Sequence, residues 1–451
     1  MNLSMKANNL LKALPLSCIL GALLAVSVSC TEKDPFPEPP GSKPPSSGND
    51  STQMPVDSAA VDTPVVSYRG YAHPDGTFLL NCGDRITENG SVTYIAPDGT
   101  VEEDVYKKVN GTELGNEAQA MCLYNGKFYI LCTDYFRLEG KPNDGALIIV
   151  DAETFRKEKA YRLEELRFPV PDGVNNPDFN PIPNSLSNLA VMDEQNIFIC
   201  DVNGLYRFDS TTGELNLLEE SFRVDNGGAG VAGRVYDRNI VIKGDRAYVA
   251  VGGWTSATDD YNLGIYEYKK GSNKISRKLG IANGGYVSGL CAGEKDTIWF
   301  ATFADENKGS NKIYCVDSRS FTVLSSKRVD GNLNSGFTNT PGISVAGLSF
   351  YYSGRTTRLS RFDYQKGRSE FLVDALQDEP KANYLTCNPM FDPKKQLLYL
   401  STTEENMEGF PTTDHILVYD CSVSPVVLHR EISGKTSYVS GIYPVSMFYK
   451  K

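Results

Sequence analysis

From about residue 64 to residue 451 the chain repeats itself, and no other property restricts its fold so tightly. The unit is an apolar run, a tight polar turn, a second apolar run, a variable stretch, and a third run ending in another turn. Its clearest copy is Gln119–Tyr124, the turn Asn125-Gly126-Lys127, Phe128–Cys132 and, after a gap, Ala146–Asp151. The next reads Leu186–Val191, Asp193–Asn196, Ile197–Cys200 and Gly204–Asp209. Further copies centre on Lys243-Gly244-Asp245 with Ala247–Val251, on Ala292–Lys295 with Thr297–Phe300, and on Asp392–Lys395 with Leu397–Leu400. A shortened copy, Ala346–Tyr352, runs almost directly into Leu359–Asp363. One such unit cannot bury its own apolar face, so neighbouring copies must stack and share a core.

The two ends of the repeat complement each other. Thr77 to Tyr106 supplies runs of the second, third and fourth type but no first one, and Tyr443–Tyr449 is an unpartnered run of the first type. If the C-terminal strand completes the N-terminal blade, the exposed edge that each would present disappears. Six internal copies and one composite make seven. The reading is an all-β chain whose residues 64–451 form a single seven-bladed β-propeller. About 55 residues per blade exceeds the ~40–50 usual for propeller repeats, and the excess sits in the connections. Forty Gly, 24 Pro and 25 Tyr agree with strands and turns rather than helices.

Connection lengths separate the two faces of such a ring. The turns between first and second strands, and between third and fourth, are tight: Asn125-Gly126, Gly244-Asp245, Thr211-Thr212-Gly213, Lys270-Gly271 and Gln365-Lys366-Gly367. The other connections, all on the opposite face, read as long: Thr133–Asp144, Gly252–Asn262, Phe303–Asn311 and Ser401–Asp414 within blades, and Glu164–Leu186, Ser221–Asp237 and Asp330–Ser344 between them. Binding residues concentrate in loops held by a rigid scaffold. The expected ligand-binding set is therefore Tyr135, Phe136, Arg137, Trp254, Asp259, Tyr261, Phe303, Asn307 and Tyr384. Aromatics beside carboxylates and amides suit a large, partly planar, polar-edged ligand or a protein epitope. Taken singly, such aromatics also serve to pin their own loops to the rim.

Several functions are disfavoured by what the chain lacks. A net charge of -11 opposes binding to nucleic-acid phosphates or anionic lipid headgroups. Only His73, His415 and His429 occur, and they read as ordinary turn and strand histidines; no metal site and no cofactor is expected. There is no Gly-x-Ser-x-Gly motif. Asp259-Asp260 and Glu404-Glu405 are adjacent carboxylates, which alone do not make an acid/base pair. The glycines of 227–230 and Gly284-Gly285 do not join a strand to a helix as a nucleotide cradle requires, and read instead as tight passages near the channel. No catalytic residue is expected, and the chain is read as a non-enzyme. Eight cysteines follow Cys30 with no Cys-x-x-Cys pair; Cys122, Cys291 and Cys387 recur in first strands, the pattern of buried free thiols.

The N-terminus stands outside the fold. Lys6 and Lys12 precede a short apolar core, Leu14–Val28, too short to span a bilayer, followed by Ser29 and Cys30. This resembles a bacterial lipoprotein signal: residues 1–29 are cleaved, Cys30 takes the lipid, and the lipid is the only membrane contact. An ordinary secretory signal with an incidental cysteine is the alternative. Residues 30–63, rich in Pro, Ser and Gly, form a disordered tether. Glu32 and Asp34 look like the signal that sends Bacteroidetes lipoproteins to the outer face of the outer membrane, with periplasmic retention as the alternative.

Four stretches carry a family resemblance. They are Leu79-Leu80-Asn81-Cys82-Gly83-Asp84, Gly90-Ser91-Val92-Thr93-Tyr94-Ile95, Asp104-Val105-Tyr106-Lys107-Lys108-Val109-Asn110-Gly111, and Leu114-Gly115-Asn116-Glu117-Ala118-Gln119-Ala120-Met121. Together they resemble the opening of Bacteroidetes YncE-like propeller lipoproteins, a family that includes the BtuG-type cobalamin-binding lipoproteins. Cys82 stands where that family usually has Glu. The resemblance implies a lipid-anchored surface propeller that captures a small-molecule nutrient, such as a corrinoid (cobalamin), for a TonB-dependent outer-membrane transporter. It carries over no ligand residue. The alternative is a surface protein- or glycan-interaction module without a small ligand; a propeller hydrolase or lyase would need a metal or carboxylate cluster at the channel mouth.

Overall fold

The computed structural model describes residues 69–83, 87–135, 137–225, 227–235, 239–251, 264–281, 286–303, 310–336, 340–405 and 411–449. Seven antiparallel sheets follow one another, each with four strand positions. Blade 1 spans 118–161, blade 2 186–217, blade 3 240–280, blade 4 286–328, blade 5 344–374 and blade 6 384–433. Blade 7 joins the chain ends: Val439–Pro444 lies first, beside Thr77–Asn81, Ser91–Ile95 and the short Val101–Glu102. The closing register pairs Phe78 with Tyr443 and Leu79 with Ile442. The protein is a seven-bladed β-propeller whose ring is closed as the repeat predicts.

Each interval between blades holds its own core. Successive strand residues face opposite sides, so in Lys127–Cys132 Phe128 and Ile130 enter the core shared with blade 7, while Tyr129 and Leu131 enter the one shared with blade 2. The same division recurs round the ring, to the blade 6–7 core of Leu79, Ile442, Tyr399 and Ile416. Burial on both faces explains why second and third strands read as continuous apolar runs. Between blades 7 and 1, Phe78 packs edge-on to Phe128 at 4.9 Å and stacks on Phe155 at 5.4 Å. Each fully buried ring contributes about 1.5–3 kcal/mol by area. Fourth strands are the exception: in Lys157–Tyr161 the first three residues are exposed, and charge on an outer edge discourages further pairing.

Three sequence expectations change. The C-terminal strand is Val439–Pro444, not Tyr443–Tyr449; Val445–Tyr449 winds into a 3-10 turn. The turn tucks Phe448 against Tyr443, and the Tyr449 hydroxyl donates to Ala72 O at 2.6 Å. The middle connection of blade 2 is only Val202-Asn203, so that face is not uniformly decorated. The stretch expected as a loop at 221–237 contains a hairpin, Phe222–Asp225 with Gly230–Gly233. Its glycines turn that hairpin, with Gly228 at φ 103, and Gly228 O accepts from Asn175 N at 2.9 Å. Gly284-Gly285 lie outside the described residues. No disulfide joins any of the eight cysteines of the propeller.

Candidate functional site

The long-connection ends of blades 6, 7 and 1 enclose a cleft of about 260 Å³. Asn81 ends the second strand of blade 7, and Ser91 begins its third; Glu88 and Asn89 come from the connection between them. Glu103, Asp104, Tyr106 and Lys107 come from the link to blade 1, where the short helix Val105–Asn110 begins. Lys141 reaches in from blade 1, and Lys435, Thr436 and Ser437 from the link between blades 6 and 7.

The walls are polar and tied together by charge. Lys107 donates to Glu113 at 2.7 Å, Lys435 to Glu103 at 2.7 Å, and Ser437 to Glu88 at 2.6 Å. Burial raises the Glu113 carboxyl, but hydrogen bonds from Lys107 and Asn89 outweigh it and hold the group below its usual range. Asn81 donates to Ser91 and Thr93 at 3.0 and 3.1 Å, while its Oδ1 is buried without a partner. The volume falls just below the ~300–1,000 Å³ usual for small-molecule sites, so the cleft suits one sugar-sized polar group and not a whole corrinoid.

Among the described residues, none of those expected from sequence lines this cleft. Tyr135 is exposed in the middle connection of blade 1. Arg137 is held by both oxygens of Glu164 at 2.6 Å, tying that connection to the blade 1–2 link. Phe303 ends a second strand and stacks on Tyr286 at 5.4 Å, against the blade 4–5 core. Tyr384 lies in the divided first strand of blade 6, opposite Thr403, and with burial it helps push the Tyr438 hydroxyl up. Phe136, Trp254, Asp259, Tyr261 and Asn307 lie outside the described residues. The cleft itself has a signal: Asn81, Ser91, Thr93, Tyr106 and Lys107 all belong to the quoted N-terminal stretches, from which the resemblance carries over no ligand residue.

A second polar cluster lies on blade 6. His415 Nδ1 is 2.9 Å from Glu431, and its Nε2 is 3.3 Å from Glu404. The sequence placed His415 in a strand but gave it no partners, because Glu379, Glu404 and Glu431 come from three different segments.

The sequence profile of DUF5074, a domain of unknown function, matches residues 75–442. The chain belongs to the DUF5074 family. No curated protein matches it in sequence. Among solved structures it is similar to the computationally designed Ika8 protein, at 12% identity over 80% of this chain and 88% of that one, with a TM-score of 0.41. It is similar to the Dos1 propeller at 12% identity over 81% and 87%, TM-score 0.43. BamB from Moraxella catarrhalis is 8% identical over 72% and 76%, TM-score 0.38. Likenesses this distant carry no functional argument. Among the described residues, no helix is long and apolar enough to cross a membrane.

Proposed function

We propose that this DUF5074 propeller is a non-enzymatic, lipid-anchored binding protein of the cell surface. It captures a nutrient such as a corrinoid on its long-connection face and passes it to a TonB-dependent outer-membrane transporter. The observation that carries the reading is the inequality of the faces. Turns such as Asn125-Gly126 close one side, while Cys132 to Leu147 and Tyr161 to Leu186 are joined by long connections on the other. A ligand as large as a corrinoid would lie across that face, engaging exposed groups such as Tyr135, because the cleft at blade 7 is too small to enclose it.

A second reading, a glycan-binding module, draws on the cleft. Its hydroxyl, amide and carboxylate lining and the unpartnered Asn81 Oδ1 suit a hydroxyl-rich ligand. Calorimetric titration of the purified chain with cyanocobalamin and with a panel of oligosaccharides separates the two. Tight corrinoid binding lost in Tyr135→Ala supports capture. Oligosaccharide binding lost in Asn81→Leu, with no heat from corrinoids, replaces it. No heat from either would sink both.

A further inference from the structure

We propose that Glu379, His415 and Glu431 form a binding site for one divalent transition-metal cation of the zinc class, with Glu404 orienting the imidazole. His415 is in the third strand of blade 6, between Thr402 and Ser433 in register. Glu431 lies two residues from Ser433, so period-two alternation puts it on the same face as His415 as a diagonal neighbour, and Glu404, at the register shift after Thr403, comes within 3.3 Å of Nε2. The fourth residue arrives from outside the sheet. Asp374 caps a 3-10 turn, Ala375–Gln377, whose Ala375 is buried between blades 5 and 6. The chain then turns so that Lys381 N donates to Glu379 Oε1 at 3.0 Å. Ligand atoms of Glu379, His415 and Glu431 all lie within 4.8 Å of one another.

The donor set is unbalanced as it stands. His415 is 4% exposed and has a carboxylate at each ring nitrogen. A neutral imidazole has one N–H and one lone pair, and carboxylates only accept. One nitrogen therefore meets a carboxylate lone pair to lone pair unless the ring takes a second proton or a metal ion intervenes. Lys381 offers its ammonium to Glu404 at 3.7 Å, which leaves Glu379 and Glu431 to be offset. A metal ion resolves both conflicts. Nε2–H donates to Glu404, the carboxylate–histidine–metal relay common at such centres, and Nδ1 turns its lone pair to the ion beside Glu431 and Glu379. One nitrogen and two carboxylate oxygens suit zinc-class ions, whereas magnesium and calcium select oxygen alone. Bonds of about 2.0–2.2 Å put tetrahedral ligand atoms about 3.5 Å apart, so with 4.8 Å as the widest separation neither glutamate need shift by more than about 1 Å. Both are at least partly exposed and free to do so. The ion would fasten the blade 5–6 connection to the outer strands of blade 6 and keep one position for water.

The test is calorimetric titration of the purified full-length chain, tag removed and stripped by chelator, with zinc chloride and separately with magnesium chloride. One zinc per chain, no magnesium heat, and a loss of at least ~10-fold in affinity in Glu404→Gln, with larger losses in Glu379→Gln and Glu431→Gln, are the expected results. Cobalt loading gives a second readout, a visible band that Glu379→Gln abolishes. Those glutamates are at the surface of the blade, so the variants fold, as circular dichroism will check. No zinc heat overturns the proposal, as does zinc heat that Glu379→Gln and Glu431→Gln leave unchanged, which would place the ion on free thiols.

Discussion

Blades 3 and 6 each hold a charged cluster on their outer three strands, and the two clusters are built on opposite principles. In blade 3, Glu267 is fully buried and receives Arg246 at 2.9 and 3.0 Å and Arg277 Nε at 2.9 Å. Burial raises its carboxyl, but the two guanidinium groups outweigh that and hold it below the usual range. Arg277 also donates to Ser318 O and Arg319 O of blade 4. Donors and acceptors match, and the knot lies near the short-turn face. In blade 6, three carboxylates surround one imidazole and one exposed ammonium near the long-connection face. A compensated cluster is a rivet; an uncompensated one is left for a cation to complete.

The largest expected effect breaks the rivet. Glu267→Ala leaves two arginines facing a buried void and costs about 3–5 kcal/mol, read as a fall in the denaturant midpoint. If Glu431→Gln in blade 6 costs as much in metal-free protein, the two clusters are alike and the contrast fails.

Asp201 sharpens the comparison, because it is buried with no ionic partner. Its carboxylate accepts from the backbone N–H groups of Asn184, Ser185 and Asn203 at 2.7–3.0 Å, yet burial lifts its pKa to about 6. The fold thus favours the protonated acid. Its contribution is complete below pH ~4, the unfolded value, and is lost as pH rises through about 6. The shift of about two units is worth about 3 kcal/mol at most. The difference in unfolding free energy between wild type and Asp201→Asn should change across that window and be flat above it.

Smaller effects come from exposed pairs. Metal-free Glu431→Gln should change stability by less than about 1 kcal/mol, while zinc should raise the melting temperature of wild type and not of the variant. Arg137→Ala removes an ion pair whose two side chains are half exposed and should cost about 0–1 kcal/mol. A larger loss would mean that this connection is held as firmly as blade 3.

What could be read in the sequence was whatever local periodicity determines. Blade count, the tight turns and the composite blade all follow from runs such as Phe128–Cys132, whose alternate residues serve two cores. The end of the last strand was misread because Val445–Tyr449 is as apolar as a strand, and only packing on Ala72 shows that it turns. Both polar sites escaped notice for a related reason. Asn81 and Lys435, or Glu379 and Glu431, are neighbours only after the ring has formed, and no spacing along the chain records that.

The joint in blade 7 also has a consequence in time. Ser440 donates to Leu80 O across 360 positions of sequence, so the blade begun first in synthesis is the last to be finished. Until residues 439–444 leave the ribosome, Thr77–Asn81 has no neighbour on one side and its apolar residues no cover. Closure of so distant a contact is slow and exposes the chain to aggregation meanwhile. A truncation of a dozen C-terminal residues would therefore do more than shorten the protein: it would hold every molecule at that unfinished stage.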